Sequence, residues 1–428
     1  MVAARWDSGP TFARAGTLWL AGSRRLARVG GGKSQIMRRM NRVLWVCGGL
    51  VVGLAGWGGS AAGAEAEDGR RREFEARFLK FCDLATAELN KELTPFTSRT
   101  NADPATHHMP FFEDAHAVRA LVVAYDMTGK RAYLDACRRW SDRMIEYQSR
   151  MIPKGAYYMN HGRAPGQDKG QWNLADSGSV GAGVLATATR CADAADKARY
   201  LGSVKAFAQL VMDNYVGPEG GICNGLWPEY AGQWWCSSAT FGTLAFVLYE
   251  ETGEEKYLQV AKGAMNWLLG QDFRELKPIT FQQRPSGTIF YCFELYLAGL
   301  KHLPPDGPRY RAAAQQIDLA LDWMAKNQKT RGAAVPDYTE RNVDMAGLPY
   351  LMCGFARQSP RWRGVTGAAD GELDYIGKLL LAQGDPSVSR LMVWEVMTWG
   401  MLSHAERLAP GALLRGSRTA RPKQNPGR

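Results

Sequence analysis

Two aspartates mark the stretches of this chain best suited to chemistry. Asp114 closes "SRTNADPATHHMPFFED" and Asp176 closes "YYMNHGRAPGQDKGQWNLAD". Each follows a polar, aromatic-rich segment and opens a run of small apolar residues. Two carboxylates facing each other across a cavity can divide acid–base work. One donates a proton to a leaving oxygen, and the other directs water or holds charge. Asp114 and Asp176 are the candidate catalytic pair, with Glu113 a rival to Asp114. Either aspartate is also a good helix N-cap type, so capping is the competing reading.

The neighbouring loops supply candidates for holding a ligand. Tyr157, Tyr158, Trp172, Trp227, Tyr230, Trp234 and Trp235 offer flat faces with polar edges, which suit the C–H faces and hydroxyl belt of a sugar ring. Arg163, Arg284 and Arg341 have the forked geometry that grips a carboxylate. His108, Tyr158 and His161 complete the candidate set and would serve as the base in an eliminating enzyme. His107, His108 and His161 lack the HxH or HExxH spacing of a metal site, so no metal and no cofactor is expected.

These residues need elements to carry them. "TGKRAYLDACRRWSDRMIEYQ" (128–148) returns as "TGEEKYLQVAKGAMNWLLGQ" (252–271), with looser copies at 198–215 and 308–328. Tyr133, Tyr200, Tyr257 and Tyr310 anchor the copies. Each copy has apolar residues at three- and four-residue intervals, the mark of an amphipathic helix. Between them lie helices that are apolar nearly all round, as in "DSGSVGAGVLATATR", where Gly178, Gly181, Ala182 and Gly183 permit close approach. Six amphipathic and six apolar helices alternate. Apolar helices have neighbours on most sides, so the alternation predicts an all-α (α/α)6 toroid, six helices inside and six outside. All six inner helices then start at one end, capped by Asp114, Asp176, Ser237, Ser286, Asp344 and Ser389, and the long loops gather there. Converging helix N-termini would favour an anionic ligand such as a uronic acid.

The toroid is expected over residues 65–410. Residues 1–64 read as a leader and signal peptide: Arg38, Arg39 and Arg42, an apolar run from Val43 to Trp57, then Ala62-Gly63-Ala64 before the cut. That order places the true start at Met37 or Met40 and predicts a periplasmic or secreted protein with no stable membrane span after cleavage. Residues 411–428 read as a basic disordered tail. The net charge of +11 comes from these ends. Without residues 1–64 and the tail beyond Leu414 the chain holds 39 basic and 41 acidic residues, which excludes the concentrated basic face of a nucleic-acid binder. Cysteine spacing shows no metal-type pair, and a Cys223–Cys236 bridge is one option in an oxidising compartment.

With its hairpin order, its "TGxxxYLxxA" outer-helix pattern and aspartates opening the early inner helices, the chain resembles the six-hairpin glycosidase superfamily. It is most similar to the unsaturated glucuronyl and rhamnogalacturonyl hydrolases of glycoside hydrolase families 88 and 105, over most of residues 72–408. The resemblance implies a carbohydrate-active hydrolase for oligosaccharides containing unsaturated uronate, with Asp176 as acid/base and Asp114 as its partner. A polysaccharide lyase or epimerase of the same fold, and a non-catalytic glycan binder, are the alternatives. The sequence leaves the oligomeric state open.

Overall fold

The Thr-Gly pairs that punctuate the sequence end helices. The Thr128 hydroxyl donates back to the Ala124 carbonyl (2.7 Å) and accepts the N–H of Lys130 (3.2 Å). Gly129 then turns the chain in the left-handed conformation, φ 70°, which costs glycine little and other residues more. Thr252 and Gly253 repeat the arrangement, with φ 76° at the glycine. These tight turns are the short connections expected at one end of the ring.

The computed structural model describes residues 60–93, 106–107, 109–160, 172–224, 232–271, 287–331, 346–381 and 390–417. They form twelve α-helices and one small strand pair. The helices are α1 (Ser60–Leu89), α2 (Phe111–Thr128), α3 (Arg131–Arg150), α4 (Leu174–Ala188), α5 (Ala194–Asn214), α6 (Trp235–Thr252), α7 (Glu255–Leu269), α8 (Gly287–Gly299), α9 (Pro308–Arg331), α10 (Leu348–Gln358), α11 (Thr366–Leu381) and α12 (Arg390–Leu408). Strands β1 (Glu92–Leu93) and β2 (Thr106–His107) pair in parallel.

Helices α2, α4, α6, α8, α10 and α12 touch in that order, and α12 returns to α2. The odd-numbered helices cover them. Arg77 of α1 donates to the Leu373 carbonyl (3.0 Å) and pairs with Asp374 of α11 (3.4 Å), which draws the first and last outer helices together. The chain is an (α/α)6 toroid. Burial follows the predicted pattern: nearly every residue of α2 from Phe111 to Ala124 is buried, whereas α3 buries the single stripe Tyr133, Cys137, Trp140 and Met144. The anchor tyrosines tie the outer layer together. Tyr133 donates to Asp83 of α1, and Tyr200 to Asp142 of α3, both at 2.8 Å.

Two glycines set how closely α4 sits. A Cβ on Gly178 would lie 2.7 Å from the Thr240 hydroxyl and 3.2 Å from the Phe241 nitrogen of α6. On Gly183 it would lie 3.0 Å from the Trp140 ring and 3.1 Å from the Ala115 backbone of α2. The Gly178 contact is shorter than real Cβ atoms show, and a Cβ on Gly183 would require its neighbours to give by a few tenths of an ångström.

Residues 1–59 lie outside the described residues, and α1 begins at Ser60. The C-terminal end differs from expectation. The tail expected to be disordered from 411 is ordered as far as Ser417. Ala412, Leu413 and Leu414 are buried, because three apolar residues precede the basic ones. Gly411 donates its N–H to both Glu406 oxygens (3.0 Å), and Ser417 donates its N–H (2.6 Å) and hydroxyl (2.8 Å) to Glu251. Leu413, Leu414 and Arg415 line one small cavity with Arg119, Leu185, Ala186 and Leu244 where the inner helices end, so this strap lies across the C-terminal end of the bore. Cys223 and Cys236 are both free thiols, without the bridge considered above. No helix of the described residues is long and apolar enough to cross a membrane.

Two outcomes are expected. Gly183→Val destabilises the fold by about 1–3 kcal/mol through overpacking. Gly202→Ala on outer helix α5, where a Cβ meets nothing within 4 Å, is neutral or slightly stabilising. Urea titration separates the two. His404 on α12 is held between the edges of Phe74 and Phe81 and donates from Nδ1 to Gly400 (2.8 Å). Burial lowers its pKa to about 4, so the folded state keeps it neutral. The unfolded chain binds this proton near pH 6.5 and the folded chain near pH 4, so its contribution is fully present above 6.5 and lost as pH falls through that window. Linkage sets that loss at about 3 kcal/mol. Guanidinium melts of His404→Asn at pH 7 and pH 4.5 should show a smaller acid-side decline than the parent protein.

Candidate active site at the N-terminal end of the bore

The capping residues are not the aspartates. Asn173 caps α4, its side chain accepting the Ala175 N–H (2.9 Å), and Asp176 stands inside the first turn. Pro110 precedes α2 and offers no side-chain cap. Asn160, from the loop before α4, supplies it instead, accepting the Phe111 N–H (3.1 Å) while its amide donates to the Met109 carbonyl (2.9 Å). Ser237 likewise falls within the first turn of α6, one residue after Cys236. Ser286, Asp344 and Ser389 lie outside the described residues.

Helical phase decides which carboxylates face the bore. His116 of α2 reaches across the ring to α8, its Nε2 lying 3.2 Å from the Tyr291 hydroxyl. One turn deeper, Arg119 of α2 pairs with Glu294 of α8, which also accepts from Tyr350 of α10 (2.9 Å). Helices α2 and α8 are opposite members of the ring, so residues 116 and 119 define the inward face of α2. Asp114 is two residues from His116, about 200° round the helix. It points back into the wall, where Trp140 of outer helix α3 donates to Oδ2 (3.2 Å) and Trp394 of α12 to Oδ1 (3.1 Å). The expected pairing of Asp114 with Asp176 across a funnel is therefore not what the geometry provides. Glu113, three residues before His116, shares the inward face and is fully buried.

Asp176 is on the inward face of α4. Ser179, three residues on, and the Asp176 charge both act on the Tyr291 phenol of α8. Asp176 is half-buried, the most accessible acid of this group. Burial fixes the protonation around it. It pushes the Tyr291 phenol far above its ordinary range, with Ser179 opposing and the Asp176 charge adding. It pushes His116 well below its ordinary range, and Arg119 adds to that. Both groups are neutral near pH 7. Burial alone would weaken Arg119 as a base, but Glu294 more than reverses this, so the guanidinium stays charged.

The remaining candidates divide plainly. Tyr158 is buried against Tyr147 (ring centroids 5.1 Å) and Phe111 (6.1 Å), so it packs its loop and is not placed as a base. Tyr157 is buried and shares a hydrogen bond with Ser203 (2.8 Å). Trp172 is buried edge-on against Tyr215 (5.2 Å). Loop aromatics serve packing as readily as binding, and these three are used for packing. Trp235 is half-buried at the start of α6. His108, His161, Arg163, Trp227, Tyr230, Arg284 and Arg341 lie outside the described residues. Among the described residues no group of three His, Cys, Asp or Glu side chains is placed to hold a metal ion. Sequence reasoning missed His116, Ser179, Tyr291 and Glu294, polar residues inside apolar helical runs. Their signal was recurrence at three-residue spacing, His116 with Arg119 and Tyr291 with Glu294.

A helical toroid strapped at one end, with an acid on its inward face at the other, has the architecture of the six-hairpin glycosidases. Residues 83–277, a little under half of the chain, match the model of glycosyl hydrolase family 76. By that match the chain is a glycoside hydrolase acting on oligosaccharide or polysaccharide substrates. The matching family is 76 rather than the families 88 and 105 that the motifs resemble. A solved structure, the glycoside hydrolase family 76 mannosidase Bt3792 from Bacteroides thetaiotaomicron VPI-5482, is similar at 12% identity over 79% of this chain and 98% of that one, with a TM-score of 0.48. No curated protein matches the chain.

Asp114→Asn replaces one acceptor oxygen with an amide that faces an indole N–H. The expected result is a stability loss of about 1–3 kcal/mol from that orphaned donor. Activity per folded molecule should stay within a few-fold of the parent. Paired thermal melts and rates normalised to folded protein check this, and a null melt shift with abolished turnover would contradict the structural role.

Proposed function

We propose that the chain hydrolyses glycosidic bonds in a neutral glycan bound at the N-terminal end of the bore. Asp176 acts there as the acid/base, and Glu113 is the second carboxylate. The observation that carries this reading is the position of Asp176, within the first turn of α4, on its inward face, with capping already supplied by Asn173. The strap at residues 409–417 lies across the other end, which makes this end the approach to the bore.

The charge of the described residues supports a neutral substrate over a uronate. Asp176, Glu113 and Glu294 face the bore, and its cation, Arg119, is tied to Glu294. An acidic lining disfavours the carboxylate of a uronic acid. Asp176 then protonates the leaving oxygen of a glycosidic bond, and the inward Glu113 handles water or developing positive charge on the ring. The arginine-rich order before the apolar run at Val43–Trp57 supports export, so the proposed place of action is the periplasm or the medium.

A panel of neutral glycans, α-mannan among them, run beside unsaturated oligouronides tests the reading. New reducing ends on a neutral glycan are expected, with Asp176→Asn lowering the rate at least about 100-fold while keeping the melting temperature. A fall in absorbance at the unsaturated-uronate band would restore the uronate reading, a rise would indicate a lyase, and glycan binding without turnover would indicate a binder. Full activity in Asp176→Asn would overturn the assignment.

A further inference from the structure

One aromatic at the N-terminal end of the ring is left out of the packing. Trp234 stands immediately before α6 and is 37% exposed. Among the described residues it is the one Phe, Tyr or Trp that is exposed. Its backbone is nonetheless held firmly. Three short segments, 215–217, 221–224 and 233–234, lie side by side, with antiparallel bridges between Val216 and Ile222 and between Cys223 and Gln233. The Trp234 N–H donates to the Ile222 carbonyl (2.8 Å), and the Trp234 carbonyl accepts the N–H of Ser238 in α6 (2.9 Å). The Ser238 hydroxyl accepts the Ile222 N–H (2.8 Å). The same frame grips the turn that carries Asp176. Leu174, the first residue of α4, donates its N–H to the Asn224 carbonyl (3.2 Å).

Successive residues of an extended segment face opposite sides. Gln233 takes the side of α7. Its Oε1 accepts the Gly221 N–H (2.6 Å), and a Cβ on Gly221 would meet both Gln233 and the Trp267 ring of α7. Trp234 takes the other side, with Ile222 buried and Val216 exposed. An indole left in water adds little to the fold, yet backbone hydrogen bonds hold its frame to the first turns of both α4 and α6.

We propose that Trp234 is a stacking platform for a sugar ring of the bound glycan, outside the two units whose bond is cut, and that it gives the site a preference for longer chains. The inference rests on the reading of the Asp176 site as a glycan hydrolase. A flat indole face matches the C–H face of a sugar ring, and its polar edge matches the hydroxyls. The ring carries no charge, which suits a neutral glycan. Its frame is ordered before binding, so little ordering cost falls on the complex. A second protein is a poor occupant: Trp234 and Val216 are the exposed apolar residues of this frame, and a stable interface buries about 800 Å² on each partner.

Trp234→Ala removes the ring and keeps every backbone hydrogen bond of the frame. Two- and six-unit oligosaccharides cut from each neutral glycan of the panel, α-mannan included, are the probes. Their affinities are measured by calorimetry on Asp176→Asn, which holds them uncut, with and without Trp234→Ala. At least one six-unit probe should bind, and Trp234→Ala should weaken it about 10-fold, while the two-unit probe of the same glycan changes less than about twofold. Trp234→Phe keeps a flat ring and should recover most of the loss. With Asp176 intact, Trp234→Ala should raise KM on the six-unit probe about 10-fold and change kcat less than about threefold. Its sedimentation should match the parent protein. No binding by any six-unit probe, equal weakening of both lengths, no weakening of either, or a change of oligomeric state on loss of the ring overturns the platform. Cleavage of the probes by Asp176→Asn at the parental rate overturns the acid/base reading instead, and the length-dependent loss is then read as KM in that variant.

Discussion

The pair formed by Arg119 and Glu294 is the constraint around which the ring is built. It joins diametrically opposed inner helices through the middle of the bore, with both side chains almost wholly removed from water. Two charges in such a place are costly unless their remaining hydrogen-bonding positions are filled. Tyr350 fills one on Glu294, and brings a third inner helix to the same point. Loss of either partner would leave a buried charge, so the pair holds the diameter of the ring and forces a polar layer into an otherwise apolar core. His116 and Tyr291 form the next layer toward the N-terminal end, and Asp176 stands above them. The depth of the candidate site thus follows from a structural ion pair.

A second polar point holds the wall. Asp114 accepts from Trp140 of an outer helix and from Trp394 of the last inner one, so a single carboxylate links both layers and both sides of the α12–α2 contact. Gly183 makes room for the Trp140 ring that reaches it. Small residues in α4, an indole in α3 and an acid in α2 form one packing unit. The same unit explains why α4 can carry Asp176 close to the axis: a bulkier helix would stand farther out.

The architecture was legible because it depends on period. Three- and four-residue spacing, the Thr-Gly turns and the alternation of amphipathic with apolar helices survive in a single sequence and specify twelve helices and their order. The site was legible only in part. Asp176 stood out as a candidate because an acid after a polar loop and before a glycine-rich run is conspicuous. Asp114 looked equivalent, since a helix start cannot be placed to within one residue from sequence, and one residue turns a side chain by about 100°. The cap supplied by Asn160 was invisible because it comes from 49 positions away. Tyr158 and Trp172 were read as binding surfaces because an aromatic that packs a loop and one that meets a sugar have the same composition signature. The strap was hidden by the basic residues that follow it.

The contact between α12 and α2 has a consequence for the timing of synthesis. The indole of Trp394 meets its acceptor on Asp114 across 280 residues of intervening chain. At translation speeds of about 5–20 residues per second, the first inner helix waits roughly 15–60 s for its last neighbour to be made. Through that interval one apolar flank of α2 has no helix to cover it, and the growing half-ring presents a greasy edge. Slower translation lengthens the exposure of that edge to aggregation.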